Sequence, residues 1–192
     1  LVTTNASLAE YQKKNIKVKI NQHKLLKNLE LSEKDHYVLI EHCKKKKIKF
    51  LTTAFDEYSL KFIKKLKLGI IKIPSGEITN YNYLKIVALQ NKKIILSTGM
   101  CTLDDINNAL SVLKKYGAKK KQIILLHCST EYPVPIKNVN INAMINMQKT
   151  FNIKVGYSDH SLGTLVPIIA VANGACIIEK HITLDNKMEG PD

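Results

Sequence analysis

The chain has 192 residues, 45% of them hydrophobic, with 30 basic against 16 acidic residues and a formal net charge of +14. That length suits about one domain, and the apolar content is that of a globular protein rather than a disordered one. No apolar run approaches the roughly 20 residues a transmembrane helix needs, and the first turns of sequence are polar and basic, with no apolar segment of the signal-peptide kind.

Every basic residue is Lys; Arg is absent. Nucleic-acid readers favour Arg for its bidentate fork, so the charge argues against a nucleic-acid partner. The run 44–47 reads as a solvated helix end, and the positive field favours an anionic substrate. Cys43, Cys101, Cys128 and Cys176 stand far apart with no CxxC pair. That spacing excludes a zinc ribbon and a dense disulfide framework, and it predicts reduced thiols in the cytoplasm.

The first 20 residues read as a polar loop. Ser32 with Asp35 then opens a helix that runs toward Lys46. A β-rich run over 48–54 ends in Thr52 and Thr53, and a helix over 58–68 closes at Gly69. The next strand, 70–74, delivers Lys72, Ser75 and Glu77; the one after it, 93–97, delivers Ser97 and Thr98. Thr102 caps a helix with Asp104 and Asp105 in its first turn. Leu103, Ile106, Ala109, Leu110, Leu113 and Tyr116 share one face of that helix, and Gly117 stops it. Strand 122–128 leads to Thr130 and Glu131, and strand 153–157 to Ser158, Asp159 and His160. The stretch 165–172 is apolar nearly all round, which predicts a buried helix. A last strand, 176–181, carries Glu179, Lys180 and His181.

The strands are rich in Ile, Leu and Val without clean alternation, as strands buried on both faces are. Six strand–helix units predict an α/β fold, doubly wound or a (β/α)8 barrel. Polar groups at the carboxyl end of nearly every strand favour the TIM barrel. A dinucleotide-binding sheet would gather them at one switch point behind a Gly-rich turn, and no GxGxxG occurs. Six strands do not close an eight-stranded barrel.

Several residue sets could do chemistry. His160 and His181, with Asp159 and Glu179 close in sequence, suit a divalent metal; the alternative is hydrogen bonding to backbone or substrate oxygens. His127 is a third candidate for that metal, but inside a strand and before Cys128 it is expected to pack. Lys72, Ser75, Ser97 and Ser158 suit a phosphate or carboxylate, against a reading as ordinary turn residues. Ser75-Gly76 and Thr98-Gly99 place glycine where backbone amides could approach an anion. Lys72 or Lys180 could instead form a Schiff base. Glu77 and Glu131 are candidate acid–base groups or surface carboxylates.

The strand-end motifs form a set: KIPSGEI from Lys72, ILSTGM from Ile95, LHC at 126–128 followed by EYP at 131–133, GYSDHSLG from Gly156, IEKH ending at His181, and GPD ending at Asp192. In order and spacing this set closely resembles the sialic acid synthase family, which includes N-acetylneuraminate synthases and their legionaminic acid relatives. The resemblance implies a TIM barrel followed by a small antifreeze-like domain. It predicts that 1–192 is a partial barrel, strands three to eight, with 1–47 as the loop and helix before the third strand and without the antifreeze-like domain. It implies condensation of phosphoenolpyruvate with N-acetylmannosamine or a related 2-acetamido sugar, releasing phosphate, with Mn2+ or Mg2+ and in a homodimer. It implies no nucleic-acid or membrane partner.

By the same resemblance, His160 and His181 match the metal ligands. Thr53, Lys72, Ser75, Ser97 and Ser158 match positions that bind phosphoenolpyruvate, and Thr130 stands where some members have Asn. Glu77, Tyr132 and Asp192 match residues around the sugar and the metal-bound water, with Glu77, Lys72 and Asp192 as the catalytic set. The chain departs from the family at Ala54, usually Pro, and at Ile182, usually Phe. Gly76 favours sialic or legionaminic acid over pseudaminic acid, whose synthases tend to carry Phe there. Legionaminic acid synthase is the nearest alternative. An inactive fragment and a Lys-rich anion or nucleic-acid binder are the others.

Overall fold

The computed structural model describes residues 2–16, 20–186 and 188. The chain divides into two units, Leu1–Phe50 with Ile182–Asp192, and Leu51–His181.

The first unit is helical: α1 (Glu10–Asn15), α2 (Gln22–Leu29) and α3 (Glu33–Lys45). The polar loop expected over the first 20 residues thus contains a short helix, held at its start by Gln12, whose side chain accepts from the Ala9 amide. α3 begins at the expected capping box, where the Ser32 hydroxyl accepts the Asp35 amide and the Asp35 carboxylate accepts the Ser32 amide. Its last turn carries Lys44 and Lys45, exposed where cations oppose the helix dipole.

The second unit is built of βα repeats: α4 (Glu57–Lys65), β1 (Ile70–Ile73), α5 (Tyr81–Ala88), β2 (Lys93–Ser97), α6 (Leu103–Lys115), β3 (Ile123–Cys128), α7 (Ile141–Phe151), β4 (Lys154–Asp159), α8 (Leu165–Ala172) and β5 (Ile178–Lys180). All strand pairs are parallel and the sheet order is the chain order, β1-β2-β3-β4-β5. An order that never reverses, joined by crossovers of one hand, places successive helices on one side of the sheet. This is the wall of a half-barrel rather than a doubly wound sheet, which has helices on both faces.

Register separates the two faces. Lys72 aligns with Ile95 and Ile124, Ser97 with Leu126 and Gly156, and Ser158 with Cys128 and Glu179. These residues share the concave face, because aligned parallel positions point the same way. Ile71, Ile73, Ile94, Leu96, Ile123, Leu125, Val155 and Tyr157 point the other way and form the main core with Leu84, Val87, Ile106, Leu113, Met144 and Met147 from the helices. Burial on both faces holds for β1 to β4. On the concave side the buried groups include Lys72, Ser97 and Ser158.

Three expectations are corrected. The strand expected over 48–54 is a single parallel bridge, Thr53 to Lys72. Ile48 and Leu51 are exposed, so the run buries too little to sustain a ladder. The helix expected over 58–68 is Glu57–Lys65, capped by Asp56, and it ends early because Lys67 rather than Gly69 takes a left-handed φ of 55°. In α8 only Val166 and Ala170, one helical turn apart, are buried; Leu165, Ile168, Ile169 and Val171 are exposed. One stripe of that helix faces β4, and no described element of this unit covers the rest. α6 follows its expected pattern, with the Thr102–Asp105 capping box and Gly117 at φ 101° beyond its end.

Among the described residues no helix is long and apolar enough to cross a membrane, and all four cysteines are free thiols.

Candidate active site

Parallel strands bring their carboxyl ends to one rim, so residues far apart in sequence converge there. Lys72, on β1, is 8% exposed and Ser158, on β4, is 2% exposed. A buried ammonium needs a counter-charge. It is Glu179, on β5: Lys72 Nζ lies 3.0 Å from each of its carboxylate oxygens. The Ser158 hydroxyl donates to Glu179 Oε1 at 2.7 Å. Burial alone pushes the Glu179 carboxyl up, but the Ser158 hydroxyl and the Lys72 charge outweigh it and hold the pKa below the ordinary value.

Next to this triad stand the two histidines. His160 Nδ1 donates to the Ser129 carbonyl at 2.5 Å, which fixes the tautomer and turns Nε2 toward Ser158 Oγ, 3.5 Å away. The His160 and His181 rings are edge to face with centroids 5.5 Å apart. Tyr132 stacks on His160 at 4.1 Å and meets His181 edge-on at 5.7 Å. Burial pulls the His160 pKa down from its ordinary value, against the pull of the Ser129 carbonyl. A neutral imidazole with a fixed Nδ1–H and a lone pair on Nε2 is the form that binds a cation. Among the described residues no group of three or more His, Cys, Asp or Glu is placed to hold a metal. His160 and His181 could supply two ligands, with the remaining positions left to water or substrate oxygens.

A pair on the opposite side of the same strands fixes this geometry. Asp159, 1% exposed, accepts from the Ser161 amide at 2.9 Å and from Lys180 Nζ, and Lys180 also donates to the Ser161 carbonyl. The clamp ties the end of β4 to the end of β5, which places His160 beside His181. It also bears on the Schiff-base alternative. A Schiff-base lysine must present its amine to a substrate carbonyl, whereas the Nζ atoms of Lys72 and Lys180 are each engaged by a carboxylate.

The other sequence candidates fall in three places. Ser75 accepts the Gly99 amide at 2.8 Å and lies 3.6 Å from Cys128 Sγ, joining the ends of β1, β2 and β3. That Gly99 amide is engaged with a neighbouring loop rather than open to an anion. Thr130 belongs to the same cluster, since a Cβ on Gly99 would fall 2.8 Å from Thr130 Cγ2 and 3.1 Å from Ser75 Oγ. Thr53 adjoins Lys72 through the single bridge, and Ser97 is buried on the concave face. Glu77, on the short turn after β1, is half-buried and accepts from Asn80 Nδ2 at 2.7 Å. Glu131 is exposed and accepts from Asn138. Asp192 lies outside the described residues.

His127 packs, as expected: it points to the helix side, meets Tyr157 edge to face at 5.5 Å, and its Nε2 lies 3.2 Å from the Val139 carbonyl. Burial lowers its pKa from the model-compound value of 6.5. The unfolded chain then binds more protons at this ring than the folded one. The stability that His127 contributes is whole above about pH 6.5 and is lost as pH falls through the folded pKa. A proton NMR titration is expected to place the His127 midpoint below 6.5; a midpoint at or above that value would mean that burial does not govern this ring.

In the sequence Glu179 stands out only as an acid near His181; its link to Lys72, 107 residues away, is not legible there. The available signal was alternation: Glu179 and His181 lie two apart on one strand and so share a face.

The NeuB family profile matches residues 1–192. The chain is 52% identical to an N,N'-diacetyllegionaminic acid synthase of Campylobacter jejuni over 100% of this chain and 57% of that protein. It is 45% identical to a protein of the same name from Legionella pneumophila, over 100% of this chain and 54% of that one. The crystal structure of an N-acetylneuraminic acid (sialic acid) synthetase from Leptospira borgpetersenii, in complex with citrate, superposes with a TM-score of 0.81 at 34% identity, covering 94% of this chain and 63% of that one. The chain thus spans somewhat over half the length of these relatives. With the parallel half-barrel and its rim of lysine, serines and histidines, the match over the whole sequence means that the chain belongs to the NeuB family.

Proposed function

We propose that the protein, at its natural length, condenses phosphoenolpyruvate with a 2-acetamido sugar to give a sugar acid and inorganic phosphate. The observation that carries this reading is the buried Lys72 and Ser158 beside the paired imidazoles of His160 and His181, all on one rim. Lys72 and Ser158 hold the anionic substrate, helped by Ser75, Ser97, Thr53 and Thr130. This is a positioning and electrostatic contribution. Carbon 3 of the enol attacks the open-chain sugar aldehyde and a C–C bond forms. Water adds to the carbon that bears the phosphate, the C–O bond to phosphate breaks, and phosphate leaves. A Mn2+ or Mg2+ ion on His160 and His181 would supply Lewis acidity to the aldehyde oxygen. Tyr132, stacked on His160, stands on the sugar side. Glu77 and Asp192 are the proposed acid–base and orienting groups. We place the protein in the cytoplasm, as a homodimer that uses neither nucleic acid nor membrane.

For the sugar, the motif reading favours N-acetylmannosamine, with N-acetylneuraminic acid as product. The names of the Campylobacter and Legionella relatives support a second reading, in which a diacetamido sugar gives N,N'-diacetyllegionaminic acid. Phosphate release measured with phosphoenolpyruvate and each sugar in turn decides between them. No release with any 2-acetamido sugar would reject the reaction itself. His160→Ala and His181→Ala are each expected to weaken Mn2+ binding, measured by calorimetry, by at least about tenfold. Unchanged affinity in both would reject the metal site.

A further inference from the structure

We propose that Glu179 is a positioning residue that acts as an internal anion: it occupies the Lys72–Ser158 pocket until the substrate's anionic group exchanges with it. This rests on the reading of Lys72 and Ser158 as substrate-binding groups. Three observations carry it. The carboxylate takes up both pocket donors at once, with Lys72 Nζ 3.0 Å from Oε1 and from Oε2 and Ser158 Oγ 2.7 Å from Oε1. An incoming phosphate needs the same two donors, and a second anion at that distance from a retained carboxylate would be repelled. The partners also differ in freedom. The Lys72 side chain is 9% exposed and the Glu179 side chain 42%, so the carboxylate is the partner with room to swing away.

The arrangement keeps the buried ammonium paired when no substrate is present. It also sets a selectivity. Ions of single charge, such as chloride or acetate, exchange one carboxylate-like charge for another and gain nothing. A dianionic phosphate brings more charge and more acceptors to Lys72 and Ser158 and wins the exchange. Glu179 thereby ties occupancy of the pocket to the phosphorylated substrate.

Glu179→Gln removes the charge while keeping the size and an oxygen that can accept from Ser158. In the metal-free protein at its natural length, calorimetry with inorganic phosphate as the probe is expected to show binding tightened about five- to tenfold. The preference for phosphate over acetate should shrink at the same time. Phosphate binding that is unchanged or weaker in a folded Glu179→Gln protein overturns the proposal. Should that variant not fold, the unaltered protein crystallised with and without inorganic phosphate gives the same decision. Separation of Glu179 from Lys72 in the phosphate complex supports the exchange, and an intact pair with phosphate bound overturns it. The probe requires neither sugar nor turnover. Tightened phosphate binding with no condensation activity would leave this proposal standing and remove the functional reading; normal condensation with phosphate binding indifferent to Gln would do the reverse.

Discussion

Lys72→Met is expected to lower kcat/KM for phosphoenolpyruvate by about a thousandfold, close to 4 kcal/mol of transition-state stabilisation, the usual scale for losing a buried donor aimed at developing charge. Methionine keeps most of the volume and the unbranched stem, so the change isolates the ammonium from the packing around it. On the proposed reaction the loss should appear in both kcat and KM, because the phosphate would be held in the ground state and would leave in the reaction. Stability should fall far less than activity. Glu179 loses the ammonium but keeps the Ser158 hydroxyl, and its side chain is 42% exposed, so water can hydrate it. Lys72→Arg should restore only part of the activity, since a planar fork does not fit where a compact ammonium is enclosed at 9% exposure. Steady-state kinetics with a urea midpoint for each variant checks both halves. A Met variant that keeps more than a tenth of the activity would remove Lys72 from the site.

Much of the fold could be read from local sequence because local rules govern it. The Thr102–Asp105 and Ser32–Asp35 capping boxes set their helix starts within a few residues. The short apolar runs of β1 to β4 lie where expected because both faces of those strands are buried. Two of the misreadings share a cause: burial depends on a neighbour that the sequence of one segment does not contain. The run over 48–54 is as apolar as a true strand, yet among the described residues its strand pairing is the single Thr53–Lys72 bridge. α8 is apolar on all sides, yet only the Val166–Ala170 stripe meets β4.

The site shows the same division. Residue types and their place at strand ends pointed to Lys72, Ser158, His160 and His181, because a parallel sheet must bring its carboxyl ends together. Who pairs with whom depended on register. Glu179 aligns with Ser158, which no spacing within either strand specifies. The Asp159–Lys180 clamp is the same register seen from the other face: one step along each strand from Ser158 and Glu179, the side chains point away from the site and hold its two halves together.

That dependence on register yields the second large effect. Gly156→Ala is expected to destabilise the protein by about 3 kcal/mol, the upper end of the usual range for forcing an extra group into a packed site. A Cβ at Gly156 would stand 2.4 Å from the Ile177 carbonyl oxygen and 2.8 Å from Leu126 Cδ2. The first is backbone, and it cannot yield as a side-chain tip can. That same carbonyl accepts the Tyr157 amide at 2.9 Å, at the point where β5 begins to pair with β4. β5 has only three residues, so losing that contact loosens much of its attachment. Two of its neighbouring groups, Glu179 and His181, then lose their places beside Lys72 and His160. Gly156→Ala should therefore weaken phosphate and Mn2+ binding together, although it touches neither ligand. Gly69→Ala is the matched comparison: a Cβ there meets nothing within 4 Å, and its urea midpoint should stay near that of the unaltered protein. If Gly156→Ala kept both the midpoint and the Mn2+ affinity, then close contact between β4 and β5 would not be what assembles the site.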